Sequence, residues 1–177
     1  MSQLQMRFSM DRCGLPGLTL PEGFSIRTLS PADCAAYNAL RESAGFTAFT
    51  EEIFQSYLEN NALPGGSFLI QESGTGRFAA SAGAERHASD PSLGVLGWVM
   101  CHPDFRGRHL GREVCLAAMH RLSEAGYRTF TLLTDDFRLP AIRTYLRLGW
   151  HPRFSDETMP ARWRAIALQL QLDPDKL

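Results

Sequence analysis

Between Leu93 and Thr134 the hydrophobic pattern changes period twice, and this restricts the fold more than any other feature of the chain. Leu93 to Cys101 and Arg128 to Thr134 are short apolar runs of strand length. Between them Leu110, Val114, Ala117, Ala118, Leu122 and Ala125 share one helical face, with Arg112, Glu113, Arg121 and Glu124 opposite, and Gly126 stands where a helix ends in the left-handed conformation. Strand, helix and strand at this spacing form a right-handed crossover, which sets two strands parallel in one sheet. The fold class is therefore mixed α/β.

The preceding residues supply antiparallel neighbours. Phe24 to Leu29 alternates as a strand, and Ser30-Pro-Ala-Asp33 then offers a cap, a proline at the first helical position and an acid three residues on, so a helix is predicted from Pro31 to Ala44. Thr50-Glu-Glu52 opens a second helix with Ile53, Phe54, Tyr57 and Leu58 as its apolar face, ending near Pro64-Gly-Gly66. Ser67 to Glu72 and Arg77 to Glu85 form a hairpin over Ser73-Gly-Thr-Gly76, and a loop at Asp90-Pro91 leads to the Leu93 strand. After the crossover, Pro140 to Leu148 reads as a helix stopped by Gly149, with Trp150 to Phe154 and the alternating Arg164 to Leu170 as closing strands. Residues 1–23 read as an irregular arm with a short strand at Leu4 to Ser9 and no chemistry, and residues 24–177 as a single domain.

Eighteen basic and 19 acidic residues leave a net charge of −1, so no global field draws the chain to nucleic acid or a membrane surface. Seventeen of the basic residues are arginine and Lys176 is the one lysine, which excludes chemistry that needs an internal lysine. Cys13, Cys34, Cys101 and Cys115 have no Cys-x-x-Cys spacing, there is no signal-peptide pattern, and no apolar run is long enough to span a bilayer. A reduced, cytoplasmic protein is the expectation.

The segment most suited to chemistry is His102-Pro-Asp-Phe-Arg-Gly-Arg-His-Leu-Gly-Arg112, between the Leu93 strand and the amphipathic helix. A glycine-containing turn at a helix start can aim backbone N–H groups outward, and the helix dipole favours an anion there. Arg106, Arg108 and Arg112 flank it and can donate to phosphate oxygens. The same residues are equally consistent with a tight turn and a solvated arginine face. Neither a P-loop nor a Gly-x-Gly-x-x-Gly fingerprint is present.

Val99 to Gly111 resembles motif A of the GNAT superfamily of acyl-CoA-dependent N-acetyltransferases, Arg/Gln-x-x-Gly-x-Gly/Ala. Arg106 and Gly111 match its first and last positions, and His109 stands where glycine is usual. Arg138-Leu-Pro-Ala-Ile-Arg-Thr-Tyr-Leu-Arg-Leu-Gly-Trp150 is similar to motif B, Asn-x-x-Ala-x-x-x-Tyr-x-x-x-Gly-Phe: Ala141, Tyr145 and Gly149 match, Trp150 replaces Phe, and Arg138 replaces Asn. The resemblance spans about residues 24–170.

It implies a mostly antiparallel twisted sheet with one parallel, splayed strand pair and about four helices. It further implies that Val99, Met100 and Cys101 offer backbone groups to the pantetheine arm of acetyl-CoA, that Arg106, Gly107, Arg108, His109, Leu110, Gly111 and Arg112 hold its phosphates, and that Arg138 replaces a pantetheine contact. A deprotonated amine would attack the thioester directly, with Tyr145 returning a proton to the thiolate. A core aromatic on a helix face is the structural alternative for Tyr145. Glu85 leads as general base, before Asp135 and Asp136, each of which also suits a turn or cap. His102, His109, His120 and His151 lack metal-ligand spacing, so no metal is expected. Cys101 reads as a half-buried strand cysteine. The acceptor is expected against residues 41–50 and 154–163, where Phe46, Phe49, Tyr57 and Trp163 suit either a pocket or the core. The expected reaction is acetyl transfer from acetyl-CoA to a primary amine of a small molecule. A peptide or protein α-amine is the alternative acceptor, and a non-catalytic acyl-CoA sensor the alternative class. A homodimer is a further expectation of the resemblance.

Overall fold

The computed structural model describes residues 3–12 and 14–176; of the residues named above, Cys13 and the side chain of Lys176 lie outside the described residues. Seven strands build one sheet: β1 (Leu4–Ser9), β2 (Phe24–Thr28), β3 (Ala62–Glu72), β4 (Phe78–Arg86), β5 (Leu93–Cys101), β6 (Thr129–Thr134) and β7 (His151–Arg153). Their order is β2-β3-β4-β5-β6-β1-β7, with β5 and β6 the parallel pair and every other pairing antiparallel. Five α-helices accompany the sheet among the described residues: α1 (Cys34–Ser43), α2 (Glu51–Ser56), α3 (Leu110–Glu124), α4 (Leu139–Arg147) and α5 (Met159–Gln169). The mixed architecture and the crossover β5-α3-β6 are as the hydrophobic periods require.

Residues 31–33 form a 3-10 turn that leads into α1, closed by Ser30 and Asp33, whose carboxylate also pairs with Arg27 at 2.7 Å. Successive strand residues serve opposite faces of the sheet. Ile70, Leu96, Phe130 and Leu132 join the main core with Val114, Ile142 and Trp163 from α3, α4 and α5. Leu69 and Met100 face the other way, into a smaller cluster with Tyr37, Leu40 and Phe54 from α1 and α2.

Three expectations need correction or extension. Arg164 to Leu170 is not a strand: it is the second half of α5 with its C-cap Leu170, and Met159, Trp163, Ile166, Ala167 and Leu170 are buried at helical spacing, with Pro160 in the first turn. A window begun at Arg164 samples a helix over too few residues to separate the two periods. Helix α2 also stops early, at Ser56; one wide turn, Tyr57–Asn61, follows, and Ala62 already begins β3. Pro64-Gly-Gly66 is a bulge inside that strand, where a side chain on Gly66 would meet the carbonyl of Ala84 at 2.7 Å.

The third concerns the N-terminal residues. Strand β1 lies between β6 and β7, with Leu4, Met6 and Phe8 fully buried. Three such side chains contribute roughly 5–9 kcal/mol in apolar burial. The following segment is tied to α3 as well, since the amide of Thr19 donates to the buried carboxylate of Glu113 at 2.7 Å.

Candidate active site

Strands β5 and β6 pair only from Leu93↔Thr129 to Val95↔Thr131, and then diverge. The other edge of β5 is irregular just beyond this point. Its register with β4 runs from Ser81↔Met100 to Gly83↔Gly97, so Trp98 and Val99 together stand opposite Ala82, and Trp98 takes a left-handed φ of 46°. A non-glycine residue there costs about 1–2 kcal/mol, and packing offsets it. The indole meets Phe49 at 5.2 Å and Phe46 at 5.8 Å, and the guanidinium of buried Arg41 lies 4.2 Å above it and 3.6 Å from the Phe49 ring. Arg41 Nε in turn donates to the carbonyl of Thr47 at 2.8 Å, which fixes the α1–α2 connection against β5.

The divergence opens a cleft of about 260 Å³. Glu85 of β4, Val99 of β5, and Arg138 and Tyr145 of the Arg138–Gly149 segment all line it, together with Phe46, Trp98 and Asp135. Glu85 and Tyr145, 60 positions apart in sequence, thus meet around one space. Burial pushes the Glu85 carboxyl up to about 7, opposed by the neighbouring Tyr57 hydroxyl, and Glu85 Oε1 is buried with no hydrogen-bond partner of good geometry. The Tyr145 phenol is raised well above its ordinary value, first by burial and then by Cys115, with Arg138 opposing. It therefore holds its proton more tightly than a free phenol does.

The other strand residues behave differently. Met100 is buried in the smaller core cluster, and Cys101 is half-buried with its thiol raised by burial, the reverse of an activated nucleophile. Their backbone remains relevant, because β5 beyond Val95 has no ladder partner on the β6 side.

The turn before α3 has the geometry of an anion cradle. Phe105 and Leu110 are buried and anchor its two ends, while residues 106–109 are exposed. Gly107 has φ 79° and His109 φ 61°, so His109 holds the left-handed conformation that glycine adopts at least cost. Among the described residues, no protein acceptor takes up the amides of residues 107–111. A Cβ at Gly111 would meet nothing within 4 Å, and its φ is not positive; neither packing nor backbone geometry within the protein requires a glycine there. Arg106 and Arg108 are exposed beside these amides, Arg108 lying 5.7 Å over the rings of Phe24 and Phe105. Arg112 is instead paired with Glu113.

Arg138 bonds Asp135 at 3.1 Å and lies 4.2 Å over the Phe46 ring, on the wall of the cleft. Asp136 is engaged by Arg162, whose hydrogen bond lowers its pKa, and it does not line the cleft. Phe46 lines the cleft, Phe49 and Tyr57 pack around Tyr37 behind it, and Trp163 belongs to α5 and the main core. His102 caps a turn and His120 meets the carbonyl of Pro16 at 2.9 Å. Among the described residues, no group of three or more His, Cys, Asp or Glu side chains converges as metal ligands would, and no helix is long and apolar enough to cross a membrane.

Sequence reasoning missed Trp98, Arg41 and the close approach of Tyr57 to Glu85. One signal was available: Gly83 and Gly97 sit inside strands, where glycine marks a bulge or a close approach.

The profile of the acetyltransferase (GNAT) family matches residues 34–150. The chain belongs to this family. A mycothiol acetyltransferase of Nocardia farcinica is 32% identical over 163 residues, 86% of this chain and 53% of that protein. Among solved structures, a GCN5-related N-acetyltransferase from Sphaerobacter thermophilus superposes with a TM-score of 0.69 at 23% identity, over 86% of this chain and 50% of the other. The Salmonella typhimurium protein yncA, solved with its cofactor acetyl-CoA, gives 0.62 at 19%, over 72% and 79%. The chain spans about half the length of the curated relatives it matches. What the GNAT fold supplies here is the β5–β6 splay and the turn that starts α3.

Proposed function

We propose that the chain is an N-acetyltransferase that moves the acetyl group of acetyl-CoA to a primary amine of a small molecule, by direct attack with both substrates bound. The observation that carries this is the meeting of Glu85 and Tyr145 in one cleft: a buried carboxyl with an unpartnered oxygen and a phenol that keeps its proton. One group suits proton removal and the other proton return.

The residues fit the co-substrate. The free amides of residues 107–111 and the exposed guanidiniums of Arg106 and Arg108 would hold its diphosphate, with open space over Gly111. The unpaired edge of β5 from Leu96 to Cys101 would bond an extended amide chain as an added strand does. Acetyl-CoA supplies an activated thioester carbonyl. Glu85 takes a proton from the acceptor's ammonium, Tyr145 Oη gives its own to the departing sulfur, and the second proton that the nitrogen loses as the amide forms restores the phenol. Arg138, held by Asp135 and stacked on Phe46, borders the space left for the acceptor.

The aromatic wall of Phe46 and Trp98 favours a compact acceptor over an extended peptide, and the relatives named for mycothiol support a small molecule. The test is thiol release from acetyl-CoA over a panel of primary amines and peptides, with the product read by mass. Release with small amines supports the reading; tight acetyl-CoA binding with no release from any amine overturns it in favour of a sensor.

A further inference from the structure

We propose that Tyr57 is a positioning residue for Glu85: its phenol stands against the carboxyl in a pit between Gly83 and Gly97, facing the β5–β6 cleft, and donates to the carboxylate when Glu85 ionises. This rests on the reading of Glu85 as the proton acceptor. Gly83 and Gly97 are cross-strand partners. A Cβ on Gly97 would stand 2.1 Å from Glu85 Oε1 and 2.4 Å from its Cδ; a Cβ on Gly83 would stand 2.3 Å from the Tyr57 hydroxyl and 2.6 Å from the same Oε1. Side chains do not approach that closely. Neither glycine has a positive φ, so backbone geometry does not explain them. Both make room for the two oxygens, which crowd the same point above the sheet.

The tyrosine ring is fixed. Tyr57 begins the wide turn after α2, is 5% exposed, stacks on Tyr37 at 6.5 Å and meets Phe49 at 6.1 Å. Burial and the Glu85 charge raise its phenol far above the ordinary value, so it keeps a proton to donate to the carboxylate. Tyr37 and Arg41 on α1 complete the charged and titratable groups on this side, while Tyr145 and the paired Asp135 and Arg138 line the far wall. In the proton transfer the Glu85 carboxylate gains one proton from the acceptor's ammonium, which becomes the neutral amine, and the Tyr57 proton stays on its oxygen. Donation from Tyr57 favours the ionised carboxylate and sets the direction of the test.

Glu85 is titrated by carbon NMR in protein labelled at the glutamate carboxyl, its signal assigned by its loss in Glu85→Gln. Tyr57→Phe is expected to move the midpoint upward by about one pH unit, the effect of losing one hydrogen bond to a charged group. Turnover at pH 7, measured by thiol release with the fastest amine of the panel, should fall several-fold at unchanged KM for acetyl-CoA. Gly97→Ala leaves Tyr57 whole and pushes a methyl group onto Oε1; a tenfold or greater fall in kcat with intact melting supports the pit, and unchanged kcat overturns it. An unmoved midpoint in Tyr57→Phe overturns the positioning role while leaving Glu85 as base. Undiminished release by Glu85→Gln overturns the base reading itself, and the role of Tyr57 with it.

Discussion

The two halves of the sheet are built by different rules. Strands β2 to β5 form a meander in which each strand pairs with its successor, and even its most distant partners, Phe24 and Glu72, are far closer in sequence than those of the other half. The half beyond β5 interleaves the ends of the chain: residues 4–9 pair with 129–134 on one side and with 151–153 on the other. The candidate site lies on the seam, taking Glu85 from the first half and Arg138 and Tyr145 from the second. Chemistry drawn from both halves is only as stable as the less local one.

That contrast breaks if equivalent deletions cost the same on both sides, and this is where the largest effect is expected. Phe8 is fully buried, stacked on Phe130 at 5.4 Å and tilted against Trp150 at 5.8 Å. Phe24, in edge strand β2, is half-buried against Phe105 at 5.8 Å. Phe8→Ala should destabilise by about 3–5 kcal/mol in denaturant titration, and Phe24→Ala by less than half of that. Equal losses would mean that β1 is as dispensable as an edge.

The next effect tests the seam from the β4 side. Glu85→Gln should lower turnover about a hundredfold, the low end for a general base, with acetyl-CoA affinity by calorimetry unchanged. The same carboxyl links stability to pH. Its folded value, about 7, lies above the ordinary carboxylate value of 4.5, so the folded state holds an extra proton between the two. Stability therefore falls as pH rises through that window, by roughly 3 kcal/mol at most. Glu85→Gln should flatten the decline between pH 4.5 and 7; an unchanged slope would place the carboxyl in water.

From the other side of the seam, Tyr145→Phe should lower kcat about tenfold with little change in acetyl-CoA affinity. The smaller figure follows from the chemistry: a thiolate is a good leaving group that needs little help from a proton donor, whereas an ammonium cannot attack until it has lost a proton. An unaltered rate would leave Tyr145 as core packing and assign the second half of the sheet a supporting role.

What the sequence discloses divides along the same seam. The crossover, the meander and both motifs are legible because each rests on local determinants: period, cap and turn glycine. The place of β1 is not, because Leu4, Met6 and Phe8 alternate like any strand and nothing local names β6 and β7 as partners. The same gap explains the misread end of the chain. Once β1 occupies the position beside β6, the sheet does not need Arg164 to Leu170 as a closing strand, and α5 uses those residues to cover the core. Of the residues that line the cleft, Glu85 and Tyr145 are reachable by strand end and motif position, whereas the packing of Trp98, Arg41 and Tyr57 exists only after folding.

The smallest effect compares two non-glycine residues in left-handed conformations, one at the seam and one in the turn before α3. Trp98, at φ 46°, is held by Phe46, Phe49 and Arg41, so the packing lost in Trp98→Gly outweighs the strain relieved, and about 3 kcal/mol of destabilisation is expected. His109, at φ 61°, is exposed and not held by such packing. His109→Gly removes a conformational cost of about 1–2 kcal/mol and loses part of that gain to the freer unfolded chain. The net should be a stabilisation below about 1 kcal/mol, seen as a rise of the melting temperature by about 1–3 °C. Acetyl-CoA affinity should hold or improve, since the backbone N–H groups stay in place. A drop in affinity would show that the imidazole itself donates to the bound anion, and that this chain has replaced the usual glycine with a ligand-binding side chain.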